Sequence, residues 1–113
     1  MIDSATMAAL LDSLKDRLLL ADTNHIVRYM NKAAIAYYTG GEALLGTSLL
    51  DCHNERSQQM MVEILAEMHQ GLEERLITDN EKYRIYMRVV RDPEGRVLGY
   101  YERYEPPRSQ SQP

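Results

Sequence analysis

From Glu73 to Glu105 the chain holds three β-compatible runs, Glu73 to Asp79, Lys82 to Arg91 and Arg96 to Glu105, separated only by Asn80-Glu81 and by Asp92-Pro93-Glu94-Gly95. Connections this short join antiparallel neighbours, because a parallel pairing needs a crossover of about a dozen residues or more. Pro93 and Gly95 stand where a type I turn with a left-handed fourth residue wants them. This end of the chain is therefore expected to form an antiparallel meander, one face of which must be covered.

The cover is written just upstream. Met60, Met61, Ile64, Leu65 and Met68 recur at helical spacing between Glu55 and Gln70, with Asn54 or Ser57 as N-cap and Gly71 as stop. Before them, Arg17 to Asp22 and His25 to Met30 flank Asp22-Thr23-Asn24, a turn sequence, and read as a hairpin in which His25 is a solvated turn residue. Asn31 then caps an alanine-rich helix from Lys32 to Tyr38 that ends at Gly40-Gly41, and Glu42 to Asn54 is expected to hold turns with one short helical piece. At the start, Asp3 or Ser4 caps a helix whose Met7, Leu10, Leu11 and Leu14 form an apolar stripe. The fold class is α+β: a five-stranded antiparallel sheet with helices on one face and an N-terminal amphipathic helix. Residues 1–16 are that helix, 17–105 the domain, and 106–113, which lack an apolar residue to dock, a disordered tail.

At 113 residues, 44% hydrophobic and 27% charged, the chain has material for one core, which removes roughly two-thirds of the unfolded surface from water. A net charge of −4 supplies no basic face, so nucleic acid is not an expected partner. No apolar run approaches the roughly 18 residues that span a bilayer, and no secretory signal stands at the N-terminus, so no membrane is expected either. The single Cys52 cannot make an internal disulfide and seven methionines are oxidisable, so a cytoplasmic home is expected. With no Trp or Phe, the eight tyrosines are the only carbocyclic aromatics, and each buried ring brings a hydroxyl that needs a partner.

Three strings stand in a telling order: Asp22-Thr23-Asn24-His25-Ile26-Val27-Arg28-Tyr29-Met30-Asn31-Lys32-Ala33, Gly46-Thr47-Ser48-Leu49-Leu50-Asp51, and Arg91-Asp92-Pro93-Glu94-Gly95-Arg96-Val97-Leu98-Gly99-Tyr100. Their joint order and spacing resemble the PAS domain family, in its first hairpin entering a helix through Asn31, its segment ahead of the long helix, and its closing hairpin. The resemblance covers about residues 10 to 105. Asp51-Cys52-His53-Asn54 together with Gly99-Tyr100-Tyr101-Glu102-Arg103-Tyr104 is similar to a small bacterial PAS subgroup. It implies a sensor and protein-interaction module with a cavity between sheet and helices, often a homodimer and often attached to a kinase, cyclase or transcription factor. No effector accompanies the domain in this sequence, so it is either a free-standing module or one excised piece.

Catalytic groups do not converge. Cys52 and His53 are adjacent, which sends their side chains apart, and Cys52 has no neighbouring Lys or Arg to lower its pKa, so it reads as a small buried apolar residue. His69 lies sixteen positions beyond His53, about 24 Å along a helix, so no zinc pair forms. No enzyme and no metal site are expected. His53 sits at the mouth of the long helix, where some sensory members of the resembled family carry a haem-ligating histidine, so the resemblance makes haem a candidate cofactor. The alternative for His53 is a ring bonded to nearby backbone or to the Asp51 carboxylate.

With a one-residue bulge at Gly95, Tyr83, Ile85, Met87 and Val89 share a face with Val97, Gly99 and Tyr101. Met61, Ile64, Leu65 and Met68 from the helix and Ile85, Met87, Gly99 and Tyr101 from the strands, with His53 at the rim, are therefore the expected ligand-binding residues, Gly99 leaving space for contents. The opposite face would carry Tyr86, Val90, Leu98 and Tyr100 as an apolar patch, with Arg84 and Arg88 paired to Glu102 across strands. The N-terminal helix, from this chain or a second copy, is the expected cover for that patch and hence the expected dimer contact. A sensory module that binds a ligand or contacts a signalling partner is the leading function. A structural dimerisation module with a filled core is the alternative, and a small isomerase-type enzyme is disfavoured by the two strands ahead of the long helix.

Overall fold

The computed structural model describes residues 1–108. Each helix starts at a side-chain cap. Asp3 accepts from the Thr6 N–H (2.8 Å) ahead of α1 (Ser4–Asp12), Asn31 from the Ala34 N–H (2.9 Å) ahead of α2 (Lys32–Tyr37), and Asn54 from the Ser57 N–H (2.9 Å) ahead of α3 (Glu55–His69). The caps satisfy amide donors that the first helical turn leaves unpaired. The expected irregular stretch between α2 and α3 holds two 3₁₀ turns, Gly41–Leu44 and Leu49–Cys52, rather than one helical piece.

The strands are β1 (Leu19–Asp22), β2 (Val27–Met30), β3 (Glu74–Asp79), β4 (Arg84–Arg91) and β5 (Val97–Glu105), and they form one antiparallel sheet in the order β2-β1-β5-β4-β3. The two hairpins join where β1 pairs with β5. Asp22 organises the first turn by accepting from the Asn24 and Ile26 N–H groups, and Asp92 organises the last by accepting from Glu94 and Arg96. Met61, Ile64, Leu65 and Met68 of α3 pack on Ala21, Met87, Val89, Val97 and Tyr100 of the sheet, the arrangement that helical spacing required of them.

The parity of β5 differs from the expectation. Arg91 pairs with Val97 and Val90 with Gly99, so the extra residue is Leu98, within the strand, and not Gly95 in the turn. Beyond Leu98 every residue is turned over, because side chains alternate with period two. Tyr100, Glu102 and Tyr104 therefore share the covered face with Val89, Met87 and Ile85, while Tyr101, Arg103 and Glu105 lie opposite Arg88, Tyr86 and Arg84 on the other. Tyr100 is accordingly a core residue, and the expected outer patch loses it. Glu102 is likewise absent from the outer charge network. There Glu74 accepts from Arg103 (2.6 Å) and Arg88 (2.8 Å), Arg84 pairs with Glu105, and the Arg103 guanidinium lies over the Tyr86 ring at 4.1 Å.

Gly99 is corrected with it. A Cβ at Gly99 would stand 2.0 Å from the Ala21 carbonyl oxygen, so this glycine admits the backbone of β1 and does not open a cavity. α1 does not cover the outer face of its own sheet, for Met7, Leu10 and Leu14 are all exposed. Of the tail, residues 109–113 lie outside the described residues. The described part is docked, with Pro107 buried, Arg84 donating to the Pro106 carbonyl (3.0 Å) and Arg108 paired with Asp79.

Candidate functional site

Between α3 and the covered face of the sheet lies a cavity of about 290 Å³. Its apolar wall comes from Leu19, Leu49, Met60, Met61, Ile77 and Met87. Of the residues expected from sequence, the structure brings His53, Met61, Met87 and Tyr101 to it, Tyr101 bordering it although its register assigns its side chain to the other face. Ile64, Leu65, Met68 and Ile85 are core residues beside the cavity and do not line it, and Gly99 is taken up by the contact with β1.

The polar part of the wall is the part that sequence reasoning missed. Turning β5 over at Leu98 delivers Tyr100, Glu102 and Tyr104, and the segment between α1 and β1 delivers Arg17, while Tyr38 follows α2. The Arg17 guanidinium carbon stands 3.8 Å from the centroid of the Tyr37 ring and 4.1 Å from that of Tyr104. Aromatic rings against a guanidinium face fix its plane and leave its N–H groups to donate in that plane. Its Nε is buried and has no hydrogen-bond partner.

Glu102 is half-buried in the same wall, with the Tyr104 hydroxyl donating to it over a long 3.4 Å. Burial raises its carboxyl above the ordinary value, against the Tyr104 hydrogen bond and the nearby Arg17 and His53 charges, which favour the carboxylate. Among the ion pairs of the described residues none joins Glu102 to Arg17. At the far side, Tyr100 shares a 2.7 Å hydrogen bond with His25 Nδ1. His25 is thus not a solvated turn residue. Its backbone takes a left-handed φ of 63°, which turns the ring inward, and burial holds its imidazole below the ordinary value.

His53 Nδ1 is bonded to the Leu49 carbonyl (2.8 Å), which follows the backbone-bonded alternative and leaves Nε2 to the cavity rim. A ligating histidine is commonly oriented this way. The remaining wall does not fit haem: 290 Å³ stands at the small end of the roughly 300–1,000 Å³ of small-molecule sites, and a guanidinium and a carboxylate stand where an apolar macrocycle would lie. Cys52, expected to be buried, is exposed, and among the described residues no cluster of three or more His, Cys, Asp or Glu side chains is placed to hold a metal ion. No helix of the described residues is long and apolar enough to cross a membrane.

The sequence of residues 7–105 matches the family model described as the PAS domain. Three solved structures share the architecture. The C-terminal domain of a Streptococcus mutans protein aligns with a TM-score of 0.75 at 14% identity, over 93% of this chain and 85% of that one. The PAS domain of Bordetella pertussis BvgS aligns with a TM-score of 0.57 at 16% identity, over 94% and 88%. The Vibrio cholerae Aer2 receptor, described as a dual PAS-heme oxygen sensor, aligns with a TM-score of 0.55 at 15% identity, over 80% and 92%. No curated protein matches in sequence. At these identities the structures speak to the fold.

Proposed function

The chain belongs to the PAS domain family, and from that membership we propose that it is a sensory module whose signal is the occupancy of the cavity beneath α3 by a small molecule. PAS domains are typically sensory signal-transduction modules and in general not enzymes. The observation that carries the ligand-binding reading is the composition of the cavity wall: a mostly apolar surface into which a few polar groups, Arg17, Glu102, His53 and Tyr104, converge. Sites for small molecules are built this way, the apolar area giving affinity and the polar groups orientation. The methionines Met60, Met61 and Met87 add a wall that adjusts to its contents.

Native mass spectrometry of the freshly purified full chain, followed by a thermal-shift screen of a metabolite library, tests this reading. A retained adduct or a compound that raises the melting midpoint supports it. A clean apoprotein mass with no compound shifting the midpoint removes it. In that case the filled-core structural module becomes the better account.

A second reading rests on a separate observation. Ile2, Met7, Leu10 and Leu14 are 43–56% exposed, a stripe of apolar side chains on or beside α1 that suits self-association. The sensor is therefore proposed to be a homodimer through α1, with a signalling protein as its downstream partner. The readily oxidised methionines and the exposed Cys52 thiol favour the cytoplasm as its compartment.

A further inference from the structure

We propose that the cavity takes a small amphoteric molecule of amino-acid type, its carboxylate received by Arg17 and its ammonium group by Glu102. The inference rests on the ligand-binding reading above and specifies the chemistry of that same site.

Two opposite charges line one cavity without satisfying one another. Arg17 has its guanidinium against the rings of Tyr37 and Tyr104, so the plane of the group is fixed before any ligand arrives. Its Nε–H is buried with no acceptor. A buried donor without a partner costs free energy, more when it is charged, and the guanidinium that carries it borders the cavity with no carboxylate of the described residues paired to it. The acceptor that suits a guanidinium edge is a carboxylate, which takes two parallel N–H bonds in one plane.

Glu102 is the complementary half. It is half-buried in the covered face and its one hydrogen bond, from Tyr104, is long. No Arg or Lys of the described residues forms an ion pair with it, in contrast to Glu74 and Glu105 on the opposite face, which are both held by arginines. A carboxylate left in this state is a receptor for a cationic donor, and an ammonium group supplies up to three N–H bonds. A ligand with only an anionic group would leave Glu102 unpaired and would bring a second negative charge towards it. A ligand with only a cationic group would leave the Arg17 guanidinium without a counter-charge and would bring a second positive charge towards it. One molecule carrying both groups satisfies both, and the methionine wall accommodates an aliphatic side chain. The volume of about 290 Å³ suits a molecule of this size.

The test uses the full chain and four probes sharing one aliphatic chain, L-norleucine, hexanoate, hexylamine and 1-hexanol, with affinities measured by isothermal titration and midpoints by thermal shift. L-Norleucine is expected to bind at least tenfold more tightly than each of the others. Glu102→Gln and Arg17→Gln are each expected to lower that affinity tenfold or more. Glu102→Gln replaces a poorly paired carboxylate with a neutral isostere, so its midpoint without ligand is expected to be unchanged or raised, which separates lost recognition from lost folding. Binding of hexanoate, hexylamine or hexanol as tight as that of norleucine, or an unchanged norleucine affinity in Glu102→Gln, overturns the amphoteric assignment while leaving a ligand-binding cavity. Silence from all four probes while another compound is retained in native mass spectra overturns the assignment alone. Silence with an empty native mass and an unresponsive library overturns both readings.

Discussion

The side-chain amide of Asn31 donates to the backbone carbonyl of Leu11 across 3.0 Å, tying the C-terminal end of α1 to the cap of α2. The same amide donates to the Asp16 carbonyl (3.1 Å), and its oxygen accepts from the N–H groups of Leu18 and Ala34, both at 2.9 Å. All of its donor and acceptor directions are used while it is fully buried. Asp16 and Leu18 flank Arg17, so one asparagine positions α1, the cavity arginine and the start of α2 together.

Asn31→Ala is therefore expected to cost about 2–4 kcal/mol, combining a lost helix cap with buried amide and carbonyl groups left unsatisfied. Asn31→Asp keeps the acceptor half but faces a carboxylate towards the Leu11 and Asp16 carbonyls, so it too is expected to be destabilised. Chemical denaturation of the two variants checks this. A loss below about 0.5 kcal/mol in Asn31→Ala would mean that water replaces the side chain without penalty.

Gly99→Ala is expected to destabilise the fold by about 3 kcal/mol, at the top of the range for overpacking. The added methyl meets backbone, the Ala21 carbonyl, and backbone cannot swing aside as a side chain can. The β1–β5 pairing that joins the two hairpins must give instead. Thermal melts and amide exchange at the Ala21–Tyr100 pair of β1 and β5 report it, and an unchanged midpoint contradicts the close approach.

These positions also show what the sequence could and could not disclose. The order of elements was legible because each boundary carries local chemistry: Asn31 and Asn54 as caps, Asp22 and Asp92 folding turns, Met61, Ile64, Leu65 and Met68 at helical spacing. The core face of α3 followed from the same period. The polar wall did not, because it depends on where one extra residue is inserted. Gly95 and Gly99 are both natural sites of irregularity, and a bulge at Leu98 in place of Gly95 turns Tyr100, Glu102 and Tyr104 inward. One signal was available: the set Tyr101, Arg103 and Glu105 is the more charged alternate, and the more charged alternate belongs outside. Arg17 was hidden for another reason, since it lies between elements where no period applies, and His25 was hidden by a left-handed backbone that no pattern announces.

The outer face predicts an acid dependence. Hydrogen bonds from Arg103, then from Arg88, hold Glu74 at about 2, against an ordinary 4.5. A carboxyl depressed on folding contributes its stabilisation above the unfolded value of 4.5, and that contribution fades as pH falls towards 2. Glu74→Gln is expected to lower stability by about 1 kcal/mol at neutral pH, the pair being partly solvated. Between pH 4.5 and 2 its stability should fall less steeply than that of the parent. Parallel acid titrations that converge on one slope would remove Glu74 as a source of the dependence.

The last prediction concerns α1. Its stripe of Met7, Leu10 and Leu14 faces water, yet its C-terminal end is fixed by the Asn31 amide on Leu11, so the helix is presented at a set position and not as a loose leader. A second copy placing its own stripe against the first removes apolar surface from water on both sides, and each fully buried Leu contributes about 1.5–3 kcal/mol. Deleting residues 1–15 would remove the stripe, but it would also remove the Leu11 carbonyl that Asn31 bonds, mixing association with folding. The double substitution Leu10→Lys with Leu14→Lys keeps Leu11 and adds like charges on the stripe, so it addresses association alone. Light scattering of the full chain is expected to give the dimer mass and the double variant the monomer mass, at matched concentration and with the melting midpoint of the isolated subunit retained. A full chain that stays monomeric at high concentration, or a double variant that stays dimeric, shows that α1 is not the contact.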